Sequence, residues 1–206
     1  MLTLVIDSAT EACSVALFRE DKMVAGDYRM LGRGHAEQLV PMIAALPDKG
    51  RASRIAVALG PGSFTGVRVG LAAARALAFA WGAELVGYPT LALVAAMAQA
   101  EHAEEAVTVA MTGGHGEWFM QSFAAGGAPL SDLSSRKPHD ACGPDVEDFV
   151  AGSQAEPLVQ ARGSGRALPI WPDARAFALL PAAAITRDTG PLYGRAPDAK
   201  LPQTAA

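Results

Sequence analysis

The sequence predicts a mixed α/β fold, and two patterns along the chain carry this prediction. Three short runs rich in strand-forming residues open the chain, separated by turn residues, at 2–8, 13–20 and 23–30. Strands then alternate with helices, so the later strands are expected to run parallel. Half of the 206 residues are hydrophobic, which is ample for a sizeable core.

The remaining elements of the first half follow from apolar spacing. Apolar residues at helical spacing predict a helix from about His35 to Leu46, with Pro41 inside it. Further along, the pattern predicts a strand at 55–59, a helix at 67–81, a strand at 84–88 and a helix at 90–100.

The second half begins with a hairpin. Residues 107–112 and 117–124 read as its strands, joined by a turn at 113–116. Beyond residue 125 the chain is rich in Gly, Pro and Ala. There we expect a short helix near 144–151, a strand near 157–161, a helix near 173–180 and an irregular tail.

A glycine-rich loop joins the strand at 55–59 to the long helix after it. Its glycines are suited to positive φ or to a close approach of the backbone to other groups, and its hydroxyls can cap the helix. Anions often bind at such places, and a turn without a ligand fits the pattern equally well. The residues concerned are Gly60, Gly62, Ser63, Thr65 and Gly66.

The string Gly-Pro-Gly-Ser-Phe-Thr-Gly at 60–66, followed by Val-Arg-Val-Gly, closely resembles the signature of the TsaB family, once called YeaZ. Three further stretches resemble motifs of the same family in the same order: the opening at 4–10 and 13–17, residues 87–92, and the tail at 191–200. The resemblance therefore covers the whole chain and is dense before residue 100.

The resemblance implies an actin-like, sugar-kinase-like (ASKHA) fold of two lobes, in which a βββαβαβα unit occurs twice. The expected N-terminal lobe spans residues 1–103 and carries the glycine loop and the dimerisation helices. A smaller, truncated and loop-rich lobe is expected over residues 104–206.

In the actin-like superfamily, the first hairpin turn and its counterpart in the second lobe carry acidic residues that manage magnesium and phosphates. Asp7, with Ser8 and Thr10, matches the first turn, whereas the counterpart at Thr112-Gly113-Gly114-His115 departs from the pattern. A hard cation held by one carboxylate lacks its usual ligand set. We therefore expect no tightly bound cofactor and at most weak ATP or ADP binding. A capped turn residue at a strand end is the simpler reading of Asp7.

Neither a metal site nor a catalytic residue is predicted. The catalytic relative TsaD carries two histidines four residues apart on the helix that corresponds to residues 35–46, and both bind a metal. In this chain His35 is followed four residues later by Leu39, so one helix face cannot present two imidazoles. Ser63 has no evident base to activate it as a nucleophile.

The helix at 67–81 is apolar on nearly all sides, so it must bury more than one face. The resemblance implies that it and the preceding helix pair with a second copy or with TsaD. The alternative is that the second lobe covers this face. The predicted interface residues are Leu39, Met42, Ile43, Arg68, Leu71, Ala74, Arg75 and Ala78, with the two arginines placed to pair with a partner's carboxylates.

Composition and charge exclude several classes of protein. A net charge of −4 and only four lysines argue against an autonomous nucleic-acid binder. Cys13 and Cys142 form neither a metal spacing nor a disulfide framework. With no recognisable signal peptide and no apolar span suited to a bilayer, we expect a cytoplasmic protein without membrane contact.

Together, the resemblance implies a non-catalytic subunit that activates TsaD in forming N6-threonylcarbamoyladenosine at position 37 of tRNAs that read codons beginning with A. It also implies TsaD and TsaE homologues as partners, a homodimer when alone, and tRNA contact only within the complex. The alternatives are an ATP-dependent small-molecule kinase and a metallopeptidase, as older family labels suggest. The missing second acidic turn counts against the kinase, and the missing histidine pair counts against the peptidase.

Overall fold

The computed structural model describes residues 1–100, 102 and 104–194. Within these residues the chain forms two five-stranded sheets with helices packed on them. The predicted lobe boundary at 103/104 includes residue 103, which lies outside this description. The part of the expected irregular tail beyond residue 194 lies outside it as well.

The first sheet confirms the predicted meander followed by parallel strands. Its order is β3-β2-β1-β4-β5, with β1, β2 and β3 antiparallel and β4 and β5 parallel to β1. The strands span Leu2–Asp7, Ala12–Arg19, Lys22–Met30, Arg54–Ala58 and Glu84–Tyr88.

Three helices accompany this sheet: α1 over His35–Ala45, α2 over Phe64–Trp81 and α3 over Thr90–Gln99. Helix α2 begins three residues earlier than expected. The reason is that Ser63 is its N-cap, with its hydroxyl accepting a hydrogen bond from the Gly66 N–H at 3.3 Å. Gly82, at φ 62°, ends the helix in the left-handed conformation.

The second sheet repeats the topology of the first with shorter strands. A meander of β6, β7 and β8 is followed by β9 and β10, each parallel to its neighbour, in the order β10-β9-β6-β7-β8. The strands span Val107–Thr112, Trp118–Phe123, Ser134–Arg136, Phe149–Ala151 and Arg166–Leu168. This repeat of a meander plus two parallel strands is the actin-like, two-lobed architecture that was expected.

Two predictions for the second half are wrong. The region near 144–151 is not helical, since β9 occupies its end, where Phe149–Ala151 is buried beside β6. The region near 157–161 is not a strand but lies in helix α4, over Ala155–Arg162, which Gly163 ends at φ 73°. Both segments are short, and neighbouring packing overrides weak local preferences there. The element expected near 173–180 is present as a 3₁₀ helix over Ala174–Leu179.

One hydrophobic cluster joins the two sheets, because buried residues of β1, β2 and β4 share it with residues of β6, β7 and β9. The 3₁₀ helix at 174–179 packs on the first sheet. The Phe177 ring lies 5.5 Å from the Tyr88 ring and 6.1 Å from the Phe18 ring. A segment from late in the described residues therefore completes a core that the first strands begin.

Helices α1 and α2 turn the predicted interface side chains inward. None of the six apolar ones is more than 8% exposed, so they belong to the core of this chain and the prediction that they form a subunit surface is wrong. Their helical spacing predicted one buried face, but alanines lie on both sides of α2, so the pattern did not indicate whether that face meets the core or a partner. The six residues are Leu39, Met42, Ile43, Leu71, Ala74 and Ala78.

This burial leads to a stability prediction. Ala74→Glu places an unpaired carboxylate in the core, so we expect the free energy of unfolding to fall by about 3–5 kcal/mol. Ala76→Glu, two residues along the same helix at an exposed position, is the matched control and should unfold like the unaltered protein. Urea unfolding followed by circular dichroism measures both, and equal midpoints for the two variants would show that Ala74 is not buried.

Candidate functional site

A cleft of about 660 Å³ opens where the turn after β1, the glycine loop before α2 and the turn after β6 meet. Its size suits a small-molecule ligand. Its lining mixes hydroxyl, aromatic, cationic and acidic side chains. The lining residues include 10–11, 62–64, 67–68, 112–115, 117, 119 and 192–194.

The glycine loop is fixed in place by close packing against the turn after β1. A Cβ atom at Gly62 would overlap the carbonyl oxygen of Ala9, and one at Gly66 would overlap that of Ser8. In the same contact, the Ser63 N–H donates to Ala9 O at 2.7 Å. These two glycines therefore provide close approach, whereas Gly60, at φ 92°, provides the left-handed conformation.

The three residues predicted for a nucleotide loop separate in the structure. Thr10 lines the cleft. Asp7 is 1% exposed, with the Ala9 N–H donating to its Oδ1 at 3.0 Å and the Tyr88 hydroxyl donating to its Oδ2 at 3.3 Å. Ser8 is also buried, and its hydroxyl donates to Gly66 O at 2.9 Å. Asp7 and Ser8 thus serve the packing of the turn. Of the three residues, Thr10 alone lines the cleft, and weak nucleotide binding stays a prediction.

Burial raises the pKa of the Asp7 carboxyl from its ordinary value of 3.8 to about 7. The hydrogen bonds from the Ala9 N–H and the Tyr88 hydroxyl lower this pKa, and the negative charge of Asp173 adds to the rise. The same burial raises the pKa of Tyr88 well above its ordinary value. Asp7 is therefore poised between its neutral and charged forms near neutral pH.

Two carboxylates at the cleft were missed by the sequence analysis. Glu11 follows Thr10 in the turn after β1 and accepts a hydrogen bond from Trp171 Nε1 at 3.2 Å. Glu117 comes from the turn after β6 and accepts one from the Ser135 hydroxyl at 2.7 Å. Their position in the sequence could have indicated them, since each stands in one of the two equivalent turns that follow the first strand of a meander.

His35 is a buried residue at the start of α1. It is 8% exposed, and its Nε2 lies 3.3 Å from Ala12 O. Across residues 1–100, 102 and 104–194, no group of three His, Cys, Asp or Glu side chains is arranged to hold a metal ion. In that same part of the chain, no helix combines the length and the apolar character needed to cross a membrane.

Arg68 and Arg75 are exposed on α2, and both contact residues 186–194, which we name the C-terminal strap. Arg75 Nη2 donates to Thr189 O at 2.8 Å. Arg68 Nη2 donates to the Tyr193 hydroxyl at 3.3 Å, and its guanidinium lies 3.4 Å from the centre of the Phe64 ring. Pairing of these arginines with a partner stays a prediction, because in this structure their contacts lie within the chain.

The outer side of α2 carries a row of exposed residues with helical spacing: Arg68, Ala72, Arg75, Ala76 and Phe79. Phe79 is 92% exposed, although it is a large apolar side chain. Helix α1, which contacts α2, exposes Val40 to 58%. We call this row of α2, together with the exposed residues Val40, Pro41 and Ala44 of α1, the α1/α2 face.

The repeated topology and the cleft between its equivalent turns define an actin-like, two-lobed protein. Residues 29–144, more than half of the chain, match the model of the family TsaD, tRNA N6-adenosine threonylcarbamoyltransferase. Among solved structures, YeaZ from Pseudomonas aeruginosa is similar at 26% identity with a TM-score of 0.77, covering 93% of this chain and 99% of that one.

Curated relatives point to the same group. The tRNA threonylcarbamoyladenosine biosynthesis protein TsaB of Escherichia coli (strain K12) is 34% identical over 60% of this chain and 55% of its own length. The Haemophilus influenzae protein of the same name is 43% identical over 47% of this chain and 42% of its own length. The chain thus spans about half the length of the curated relatives it matches. The chain belongs to the family that the TsaD model describes, as one of its TsaB (YeaZ) members.

The packing of the glycine loop predicts a cost for any side chain at Gly62. In Gly62→Ala, the new methyl meets a backbone carbonyl that cannot rotate away, so we expect unfolding free energy to fall by about 1–3 kcal/mol. Gly114→Ala is the matched control, since a Cβ there would meet nothing within 4 Å. Thermal unfolding of both variants checks this, and no loss at Gly62 would contradict the close approach.

The raised pKa of Asp7 predicts a pH dependence of stability. Because the folded pKa, about 7, lies above the ordinary value of 3.8, the protonated carboxyl favours folding, and this contribution is lost as pH rises through 7. Asp7→Asn removes the titration. We expect its unfolding free energy relative to that of the unaltered protein to increase by about 2–3 kcal/mol between pH 5 and pH 8. Urea unfolding at both pH values measures it, and a pH-independent difference would refute the raised pKa.

Proposed function

We propose that this chain takes part in tRNA threonylcarbamoyladenosine biosynthesis as a non-catalytic subunit that binds and activates a TsaD homologue. The names of the curated relatives and the TsaD family match support the pathway. The finer role, that of an activating partner, is supported by the surface and by the cleft described above.

The observation that carries the proposal is the α1/α2 face. A Phe side chain that is 92% exposed, at the end of a row that includes two exposed alanines, is a typical anchor for a protein partner. Ala72 and Ala76, which precede it in the row, are small enough to allow another helix to approach closely. The arginines of the same helix supply a charged rim, which suits a partner surface that carries carboxylates.

The residues around the cleft support a non-catalytic role. Asp7, the residue that matches the acidic position of the superfamily, is buried and hydrogen-bonded within the turn. His35 contacts a backbone carbonyl instead of pairing with a second histidine four residues later. Catalysis of carbamoyl transfer is therefore assigned to the TsaD homologue.

The remaining partners follow from charge and from the same pathway. A net charge of −4 disfavours tRNA binding by this chain alone, so tRNA contact is proposed within the complex only. A TsaE homologue is proposed as a further component of the complex. In the absence of TsaD, a second copy of the chain is proposed to cover the α1/α2 face. Any ATP or ADP is proposed to bind weakly in the cleft.

The proposal is tested by introducing a negative charge at Phe79, the exposed residue proposed as the anchor. Phe79→Glu should keep the fold, because the side chain is almost entirely outside it, and should weaken binding to the TsaD homologue by about 30-fold or more if Phe79 is an interface hot spot. The affinity is measured by isothermal titration calorimetry, and the threonylcarbamoyladenosine content of tRNA is measured by mass spectrometry in a strain that depends on the variant.

Leu130→Glu is the matched control, since Leu130 is 55% exposed on the second half of the chain. It should bind the TsaD homologue and support tRNA modification like the unaltered protein. Equal binding by both variants would place the partner surface elsewhere. Normal modified tRNA in cells that carry only Phe79→Glu would argue against the activating role.

A further inference from the structure

The C-terminal strap and the α1/α2 face use the same two side chains. Arg75 lies between Ala72 and Phe79 in the exposed row of α2, and Arg68 lies one turn before Ala72. Both guanidinium groups donate hydrogen bonds to the strap, Arg75 to Thr189 O and Arg68 to the Tyr193 hydroxyl. A partner that docks on this row therefore meets the groups that hold the strap.

The strap is fixed to the first lobe near its two ends. At one end, Thr186 and Gly87 exchange backbone hydrogen bonds of 2.8 and 2.9 Å, and at the other the Leu192 N–H donates to Leu59 O at 2.8 Å. Between these anchors Arg75 holds the middle to α2, while residues 187, 188 and 190 are exposed. A segment with few buried contacts opens at low free-energy cost.

The last residues of the strap also form one wall of the cleft. Leu192, Tyr193 and Gly194 line it, and a Cβ at Gly194 would overlap the ring of Phe119 on the opposite lobe. Leu192 also lines a second groove of about 550 Å³ on the other side of the strap. Displacement of this end would widen the cleft and join it to that groove.

The acceptors that the arginines now use are neutral. A carboxylate accepts a shorter and roughly twice as strong hydrogen bond from a guanidinium, often with two parallel contacts. An acidic side chain on a docked partner would thus compete well for Arg75 and Arg68. Once both are withdrawn, the strap loses its side-chain contacts with α2. The Thr186 end keeps two backbone hydrogen bonds with Gly87, whereas the Leu192 end keeps a single one to Leu59 O and therefore opens first.

We propose that docking of a partner with carboxylates at its rim onto α2 releases the C-terminal strap and opens the cleft. The inference rests on the proposed function, because it takes the TsaD homologue as that partner. Coupling between the two sites is reciprocal, so a ligand that fits only the open cleft strengthens docking, and any change that tightens the strap weakens it.

Hydrogen exchange measured by mass spectrometry on the full chain, with and without the TsaD homologue, tests the proposal. We expect exchange in the peptide that contains Leu192 to speed up by about tenfold in the complex, while exchange in α2 slows down. Faster exchange in the strap is the opposite of what simple burial at an interface produces, so the two effects separate.

Two variants of the isolated chain test whether Arg75 of α2 keeps the strap in place. Arg75→Ala should speed exchange at Leu192 severalfold without any partner and should reduce the further increase on docking. Arg187→Ala is the matched control. It removes an exposed contact between the strap and Glu84 of β5, where Arg187 is 88% exposed, and should change the exchange by less than about twofold.

The outcomes distinguish this inference from the proposed function. A complex in which the strap exchanges at the same rate or more slowly overturns the coupling and leaves the proposed function standing. The absence of any complex overturns both. Equal exchange in Arg75→Ala and Arg187→Ala overturns the claim that α2 holds the strap.

Discussion

The site depends on one contact, the seating of the glycine loop on the turn after β1. Gly62 and Gly66 bring two backbone carbonyls, those of Ala9 and Ser8, closer to the start of α2 than any side chain would allow. This contact sets where α2 begins, and so which of its faces meets the sheet and which meets solvent. The cleft and the α1/α2 face are thus positioned by the same few backbone atoms.

Burial of Asp7 is a second consequence of that contact. The turn after β1 is held between the loop and Tyr88, so its carboxyl is desolvated and its pKa rises to about 7. A carboxyl in this state is suited to organising a turn and is poorly suited to holding a divalent cation, which requires exposed, ionised oxygens. The acidic side chains that do face the cleft, Glu11 and Glu117, come from the two equivalent turns of the repeated topology.

The sequence was sufficient to predict the strands and the glycine loop, but it was insufficient to predict which side of α2 faces solvent. The meander, the parallel strands and the glycine loop have strong local signals, because strand formers and turn glycines alternate clearly there. The outward side of α2 had no such local signal, since the same residue type stands in the core at Ala74 and at the surface at Ala76. The two wrong secondary-structure predictions, a helix where β9 lies and a strand where α4 lies, concern short segments, where packing outweighs local preference. The contacts of Arg68 and Arg75 join residues more than 110 positions apart, which no local pattern reveals.

The 3₁₀ helix at 174–179 has a consequence for how the protein is made. It covers the first sheet through Phe177 and comes from near the end of the described residues, whereas the strands beneath it leave the ribosome more than 80 residues earlier. Synthesis proceeds at about 5–20 residues per second. The opening strands therefore wait for many seconds with apolar surface uncovered, and truncation before residue 174 would leave that surface permanently exposed to chaperones and proteases.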